Sequence, residues 1–451
     1  MQLSHLDSDR SNVRPVDVAR RLSRDGATGL LFFDSAHADS AHWSILTCHP
    51  SRVLTEHREG GFVELPSGER VEEPTRWIAR AHTVESPALE DGRELPFVGG
   101  LAGVLAFEFA WHLDDVDAPI PPARTPKVWV GDYPSALVYS HSDGRWWLTG
   151  RPVGEAARRL EAALREATRS PVVDERRGCG FGATVAPATY RERVGRAIDA
   201  IYAGELFEIN YTERFSARWD ADAFSLYEAL RATESGAYGG FVDAGSFQLA
   251  SVSPEQFLEV DNRRVVSRPI KGTRPRSGCA EEDARFAEEL LASEKDRAEN
   301  VMIVDLMRND LTQVCRLGSV EATEICALES FSGVHHLVST VEGELADGFS
   351  PLDALLAAFP AGSITGAPKL RAIELIAELE ETPRGPYTGS LFYASRHGRL
   401  DSNVLIRTAV LVDGEVRYGS GGAVVADSDP RAEFEEARLK AAPLRKVTGD
   451  G

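Results

Sequence analysis

Two pairs of acids at helical spacing are the first chemistry the sequence offers. Asp296 and Glu299 stand at i and i+3, with Met302, Ile303 and Leu306 continuing their flank, while Glu433, Glu436 and Lys440 stand at i, i+3 and i+7. On a helix, such spacings put side chains on one face. Carboxylates presented inward by two helices suit a hard cation such as Mg²⁺, which takes few protein ligands and keeps positions for substrate oxygens. The same spacing also describes two solvated acidic helix faces, and spacing alone does not choose between them. Glu255, in Ser253-Pro254-Glu255-Gln256-Phe257, precedes a strand. If partly buried there, it would hold its proton to higher pH and serve as a general acid. Lys271 sits in Ser267-Arg-Pro-Ile-Lys-Gly-Thr-Arg-Pro-Arg276, where Pro269 and Pro275 stiffen the chain and Gly272 permits close backbone approach. The alternative for that stretch is a basic surface turn. Arg407 lies inside the apolar run Val404–Val412, where a guanidinium needs an anionic partner such as a substrate carboxylate.

Three further stretches complete the inventory. The small-residue loop Pro360–Lys369 leads into a helix whose N-terminus and amides suit an anion. Gly419-Ser-Gly-Gly-Ala423 follows a strand without a helix behind it, which argues against a dinucleotide loop and for close approach of backbone to a carboxylate, or for a plain β-turn. His335-His336 reads as one packed and one exposed ring. Together these features describe a site for a small multi-anionic molecule, built from Mg²⁺, arginine, glycine backbone, an acid and a lysine.

The elements that must position these groups alternate irregularly. Helices are expected at 16–23, 74–82, 153–169, 190–203, 224–233, 281–308, 352–359, 369–380 and 429–446, from 3.6-residue periodicity and cap residues. Short apolar strands separate them, including two around the Asp261-Asn262 turn and a meander from Tyr387 to Gly419. The expected fold class is α+β with a large, mainly antiparallel sheet. Residues 1–170 form an N-terminal region, the aperiodic stretch 171–187 a linker, and 188–446 the chemistry-bearing region. The chain has 451 residues and a formal net charge of −20, which excludes nucleic acid and acidic membrane surfaces as partners. Five cysteines without a CxxC pair fit reduced thiols and exclude a zinc cluster. The polar start, without an apolar leader, points to a cytoplasmic protein, and no run spans a bilayer.

From about Tyr190 to Leu444 the chain resembles the chorismate-utilising enzymes, the group of anthranilate, aminodeoxychorismate, isochorismate and salicylate synthases. The resemblance rests on Asp296-Arg-Ala-Glu-Asn-Val-Met-Ile-Val-Asp-Leu-Met-Arg-Asn-Asp310, Val334-His-His-Leu-Val-Ser-Thr340, the loop 360–369 and Gly419-Ser-Gly-Gly-Ala-Val-Val-Ala-Asp427. Trp43–Pro50 and Leu95–Gly100 are similar to the family's N-terminal region. The fold implied is one large unit of two face-packed, mainly antiparallel sheets with helices outside. The resemblance assigns Glu299 and Glu436 to Mg²⁺, with Asp296 and Glu433 behind them. It makes Glu255 the acid and His336 the active-site histidine. Tyr387 and Arg407 would hold the enolpyruvyl carboxylate, with Gly421, Ala423, Ser363, Thr273 and Lys440 lining the pocket.

Within the family, Pro269-Ile-Lys-Gly-Thr273 is similar to the aminodeoxychorismate-forming branch, whereas anthranilate synthases carry alanine at the third place. The resemblance therefore implies attack of Lys271 on C2 of chorismate, then amination at C4. A lysine is nucleophilic when desolvation or nearby cations lower its pKa, and Arg268 and Arg274 flank this one. Rival readings are a synthase of anthranilate or 2-amino-2-deoxyisochorismate, and a catalytically silent regulatory relative. Position 208 departs from the family pattern: Glu208 stands where ammonia-using relatives have glutamine and water-using ones lysine. Leu31-Phe-Phe-Asp-Ser35 and Glu234-Ser-Gly-Ala-Tyr238 only partly match the family's tryptophan pocket, so tryptophan feedback is not expected. Cys179 lacks the context of an amidotransferase nucleophile, so ammonia is expected from a separate glutamine amidotransferase subunit or from solution.

Overall fold

Many strands of this chain bury side chains on successive positions, not on alternate ones. Gly100–Leu105 (β7), Val128–Tyr133 (β8), Ser390–Ser395 (β21) and Thr408–Val412 (β23) are buried along their whole length. A strand of that kind belongs to a sheet covered on both faces. The computed structural model describes residues 4–5 (backbone), 13–35, 43–57, 59–82, 95–116, 118, 120–151, 153–169, 178–233, 236–330 and 333–449. Within these, two large sheets, each of 12 strands, pack face to face with helices on the outside.

The first sheet begins with β1 (Ser4–His5), β10 (Arg145–Gly150), β9 (Ser135–Ser140), β3 (Trp43–Thr47) and β2 (Leu30–Asp34). It continues through β13 (Gly239–Asp243), β14 (Gln248–Ser251), β23, β24 (Glu415–Val424), β12 (Glu208–Trp219) and β11 (Gly178–Ala183), with β20 (Gly366–Ala367) also on β12. The second begins with β17 (Ile270–Pro275), β19 (Val334–Glu344), β16 (Arg264–Ser267), β15 (Gln256–Asp261) and β22 (Leu400–Asn403). It runs on through β21, β7, β8, β4 (Arg52–Glu56), β5 (Phe62–Leu65) and β6 (Glu69–Val71), with β18 (Glu321–Ser330) on β19. All pairings are antiparallel, and the N-terminal strands join the later ones through β2–β13 and β7–β21. Residues 1–170 and 188–446 thus share both sheets.

Leu31, Ile45, Val242 and Val410 of the first sheet meet Ala102, Val104, Leu391 and Tyr393 of the second in the central layer. The outer face of the first sheet is covered by α1 (Pro15–Arg24), α4 (Glu155–Glu166), α6 (Ala223–Thr233) and α12 (Ala442–Thr448). The second cluster of helices comprises α2 (Pro74–Ala81), α3 (Phe109–Leu113), α5 (Pro187–Tyr202), α8 (Glu294–Thr312), α9 (Pro351–Ala358), α10 (Lys369–Glu380) and α11 (Pro430–Lys440). Helix α7 (Ala280–Ala292) packs beside β17 and β19.

Three details differ from the sequence reading. The expected helix 281–308 is two, because Ser293 turns extended and its Oγ accepts from Asp296 N at 3.2 Å, starting α8 afresh. The last helix likewise divides at Ala441. Residues 171–177 of the expected linker lie outside the described residues, and the following 178–183 is a strand paired with β12.

Candidate active site

The site forms where β12 and β24 of one sheet face β17 and β19 of the other. On β12, Glu208, Asn210 and Thr212 stand opposite Ala367, Ala423 and Gly421, so the period of two puts these residues on one face. On β17, Lys271 pairs with Leu337 and Thr273 with His336, and the register shifts at Gly272, which has φ +77°. A Cβ at Gly272 would lie 2.9 Å from both Leu290 and Asp296, so glycine is what lets α7 and α8 close on this strand.

Lys271 Nζ crosses the cleft and donates to Glu208 Oε1 at 2.6 Å. The lysine side chain is 9% exposed and the glutamate fully enclosed. Burial pulls the lysine's pKa down, but Glu208, Glu299 and Glu255 together outweigh it, and the pKa is raised above the ordinary lysine value. This corrects the expectation of a pKa lowered by neighbouring arginines. Arg268 is paired with Glu329 and Arg274 with Asp296 at 3.2 Å, which leaves carboxylates to dominate around Nζ.

Glu255 is buried just ahead of β15, and its Oε1 accepts from Ser363 Oγ at 2.7 Å. Burial pushes its pKa up to about 7 against the opposing pull of the Ser363 hydrogen bond and of Lys271. Ser363, expected to line the pocket, gives its hydroxyl to this acid. His336 Nδ1 and Thr273 Oγ1 lie 2.9 Å apart, and burial holds that imidazole below its usual pKa. His335 is packed, with its ring nitrogens 2.8 Å from Ser330 Oγ and 3.1 Å from Asp283 Oδ1.

At the other end, the buried Tyr387 ring lies on Gly419, where a Cβ would be 2.1 Å from it. Arg407 takes a left-handed φ of 51°, and its Nη1 donates to Lys440 O at 2.6 Å. Its charge acts on both Tyr387 and His336, which brings these three expected residues into one neighbourhood. A Cβ at Gly421 would sit 2.1 Å from Tyr211 O, so the strands approach there as only glycine allows. Lys440 Nζ reaches Gly421 O at 3.1 Å and Glu436 Oε1 at 2.5 Å.

The acids on α8 and α11 lie on two helices that pack against the cleft strands. Glu299 Oε1 is buried without a hydrogen-bond partner, and burial moves that carboxyl up to about 7. Its nearest cation is Lys295, at 3.8 Å. Glu433 Oε2 and Glu436 Oε1 lie 3.1 and 3.4 Å from where a Gly422 Cβ would be, so the bare backbone makes room for both. Glu433 accepts from Ser428 Oγ at 2.7 Å, and Asp296 is held by Arg274. Among the described residues no three His, Cys, Asp or Glu side chains are grouped tightly enough to enclose an ion. Mg²⁺ keeps several waters and substrate oxygens, so a sparse carboxylate set fits it and would not fit zinc.

The loop 360–369 is tied into the fold along its length. Gly362–Ile364 is a 3₁₀ turn, Gly366–Ala367 pairs with β12, and Lys369 is tied to Asp310 at 2.6 Å and Ala358 O at 2.7 Å. Sequence reasoning missed Arg384, which braces β12, and Asn300, which is buried beneath the acids and bonded to Leu337 O and Ser339. Arg384 had a readable signal, a lone arginine in the proline- and glycine-rich Thr382-Pro-Arg-Gly-Pro-Tyr387. In the stretch Leu31–Ser35, Phe33 and Asp34 are both engaged within the fold. The Phe33 ring meets Tyr393, and Asp34 is held by Tyr227 and Arg231. Its expected companion lies partly outside the described residues, which exclude 234–235.

The double sheet thus brings the enclosed acid Glu255 and the buried Lys271–Glu208 pair to one cleft, as in an enzyme active site. The chain belongs to the chorismate binding enzyme family, which it matches over residues 39–446. It is 41% identical to anthranilate synthase component 1 of Thermus thermophilus over 96% of this chain and 95% of that one. It is 36% identical to aminodeoxychorismate synthase component 1 of Salmonella typhimurium over 76% of this chain and 75% of the relative. Among solved structures, anthranilate synthase component I of Streptococcus pneumoniae superposes with a TM-score of 0.78 at 30% identity, covering 91% of this chain and 93% of that one. No helix among the described residues is long and apolar enough to cross a membrane.

Proposed function

We propose that this chorismate-utilising enzyme converts chorismate and ammonia to 4-amino-4-deoxychorismate. The observation that supports the reading is the side chain of Lys271, buried in the cleft close enough to the enclosed acid Glu255 to act on its charge. Arg407 and Tyr387 hold the enolpyruvyl carboxylate, and the Gly421–Ala423 backbone lies against the ring carboxylate. Lys271 attacks C2, Glu255 protonates the departing C4 hydroxyl, and ammonia then adds at C4 as the lysine leaves. Glu299 and Glu436 would hold Mg²⁺, with Glu433 and Asp296 behind them. When bound, the ion neutralises substrate carboxylate charge. Relatives bearing the name component 1 motivate a separate glutamine amidotransferase as the source of ammonia.

The second reading is anthranilate synthesis, favoured by the 41% identity to the Thermus enzyme along nearly the whole chain. The two readings separate by product. With chorismate, Mg²⁺ and ammonium, the expected product is 4-amino-4-deoxychorismate, and Lys271→Ala should abolish it. Anthranilate fluorescence from the unmodified protein without any added lyase would overturn the assignment. So would unchanged C4 amination by Lys271→Ala.

A further inference from the structure

We propose that Glu208 is the proton acceptor that turns Lys271 from an ammonium ion into a nucleophile. The inference rests on the reading of Lys271 as the attacking group and adds Glu208 to Lys271 and Glu255 as a catalytic residue. An ammonium nitrogen has no lone pair, and the carboxylates around Lys271 favour its charged form, so some group must take a proton before C2 can be attacked. The carboxylate in contact with Nζ is Glu208, at 2.6 Å, reached from the opposite sheet.

The surroundings of Glu208 separate it from a supporting carboxylate. Its Oε1 receives Lys271, and its Oε2 is buried without a hydrogen-bond partner. Two buried carboxylates that hold the fold, Glu108 and Glu380, are tied to backbone amides. Glu108 accepts from Arg384 N and Gly385 N, and Glu380 accepts from Thr212 N. Glu208 braces no backbone amide in this way. Its own main chain is already fixed by pairing with Ala367 of β20. The charges acting on the pair come from α8, through Glu299, and from the strand entry at Glu255. Both are acids and neither touches Nζ within ion-pair distance.

The proton balance closes without another reagent. One Nζ–H bond breaks and an O–H bond forms on Glu208 Oε1, which converts a buried ion pair into a neutral amine and a neutral acid, both suited to an enclosed site. The amine lone pair forms the bond to C2 as the C4–O bond breaks, and the hydroxyl takes Glu255's proton and leaves as water. Ammonia forms the C4–N bond while the C2–Nζ bond breaks, releasing Lys271 as the neutral amine. The C4 ammonium returns a proton to Glu255, and Lys271 recovers its own from Glu208.

The test compares Glu208→Gln and Glu208→Asp in the full chain. Initial rates are measured with chorismate, Mg²⁺ and ammonium from pH 6 to 10, each corrected to constant free ammonia. Glutamine keeps the size and a hydrogen bond to Nζ but accepts no proton. The expected result is a loss in kcat on the order of 10²–10⁴-fold near neutrality for Glu208→Gln, with KM for chorismate changed by less than about threefold. That loss should shrink as pH rises, because solvent then strips the lysine, and Glu208→Asp should recover part of it. Full kcat in Glu208→Gln overturns the inference. A deficit that is constant with pH and shared by Glu208→Asp also overturns it, since it marks a merely structural role. If Glu208→Gln does not fold, Glu208→Asp decides alone: a kcat deficit that shrinks as pH rises, with unchanged KM, supports the proposal, and an unchanged kcat or a deficit constant with pH overturns it. Lys271→Ala, run in parallel, keeps the two claims apart. Amination by that variant at the full rate removes the lysine reading itself. A dead Lys271→Ala beside a fully active Glu208→Gln removes Glu208 alone.

Discussion

Two of the buried ion pairs in this molecule differ in how completely they are satisfied. Arg384 and Glu380 are 2% and 6% exposed, and nearly every polar atom of the pair is used. The guanidinium makes two bonds to Glu380, at 2.6 and 2.9 Å. It also donates to Asn210 O at 2.6 Å, Ile364 O at 3.0 Å and Thr388 Oγ1 at 3.3 Å, and lies 4.5 Å over the Phe107 ring. Lys271 and Glu208 are as deeply placed, yet one carboxylate oxygen is unpartnered, and Glu299 nearby has an orphaned oxygen too. A saturated pair locks backbone segments together, whereas an under-satisfied one waits for a ligand or a proton. The first is architecture and the second chemistry, although burial alone would class them together.

The largest effect should fall on the chemical side. Glu255→Gln should lower kcat by ~10²–10⁴-fold while leaving thermal stability close to that of the parent. With a carboxyl pKa of about 7, the proton is present below that pH and lost above it. At constant free ammonia, the parent's rate should therefore fall on the alkaline side of about pH 7. A rate that instead rises through that range would remove Glu255 as the acid.

A second contrast probes stability. Replacing a buried pair by apolar residues is often neutral or stabilising when nothing else depends on it. Lys271→Met with Glu208→Leu should thus hold or raise the denaturant midpoint while abolishing activity. Arg384→Met with Glu380→Leu strips three further acceptors of their donor and should cost about 3 kcal/mol or more. Equal losses from the two double variants would erase the distinction. The smallest expected effect is at Gly419→Ala, which drives a methyl into Tyr387 and should cost about 1–3 kcal/mol with a raised KM for chorismate.

The strength of local signals decided what could be read from the chain. Caps and turn residues located most elements, and the acid spacings placed Glu299 and Glu436 on helices facing the cleft strands. Lys271, Glu255 and Arg407 were conspicuous as charged groups in apolar or proline-braced settings. The lysine's charge balance was not legible, because it is set by glutamates from α8, β12 and the approach to β15, which no sequence window brings together. Glu208 stood out at its position, but its partner lies across two sheets. The interruption at Ser293 was hidden by helix-favouring residues on both sides, and only the cap geometry reveals it.

The pairing of β2 with β13 and of β7 with β21 bears on how the chain reaches this state. Strands made early in synthesis wait for neighbours encoded much later, so both sheets close through contacts of long sequence separation. Loop closure of that kind is slow and leaves apolar strand edges unpaired in the meantime. Nascent N-terminal fragments should therefore bind holdase chaperones. A protein cut between the two regions should recover activity only when the halves fold together, not when each is refolded alone and then mixed.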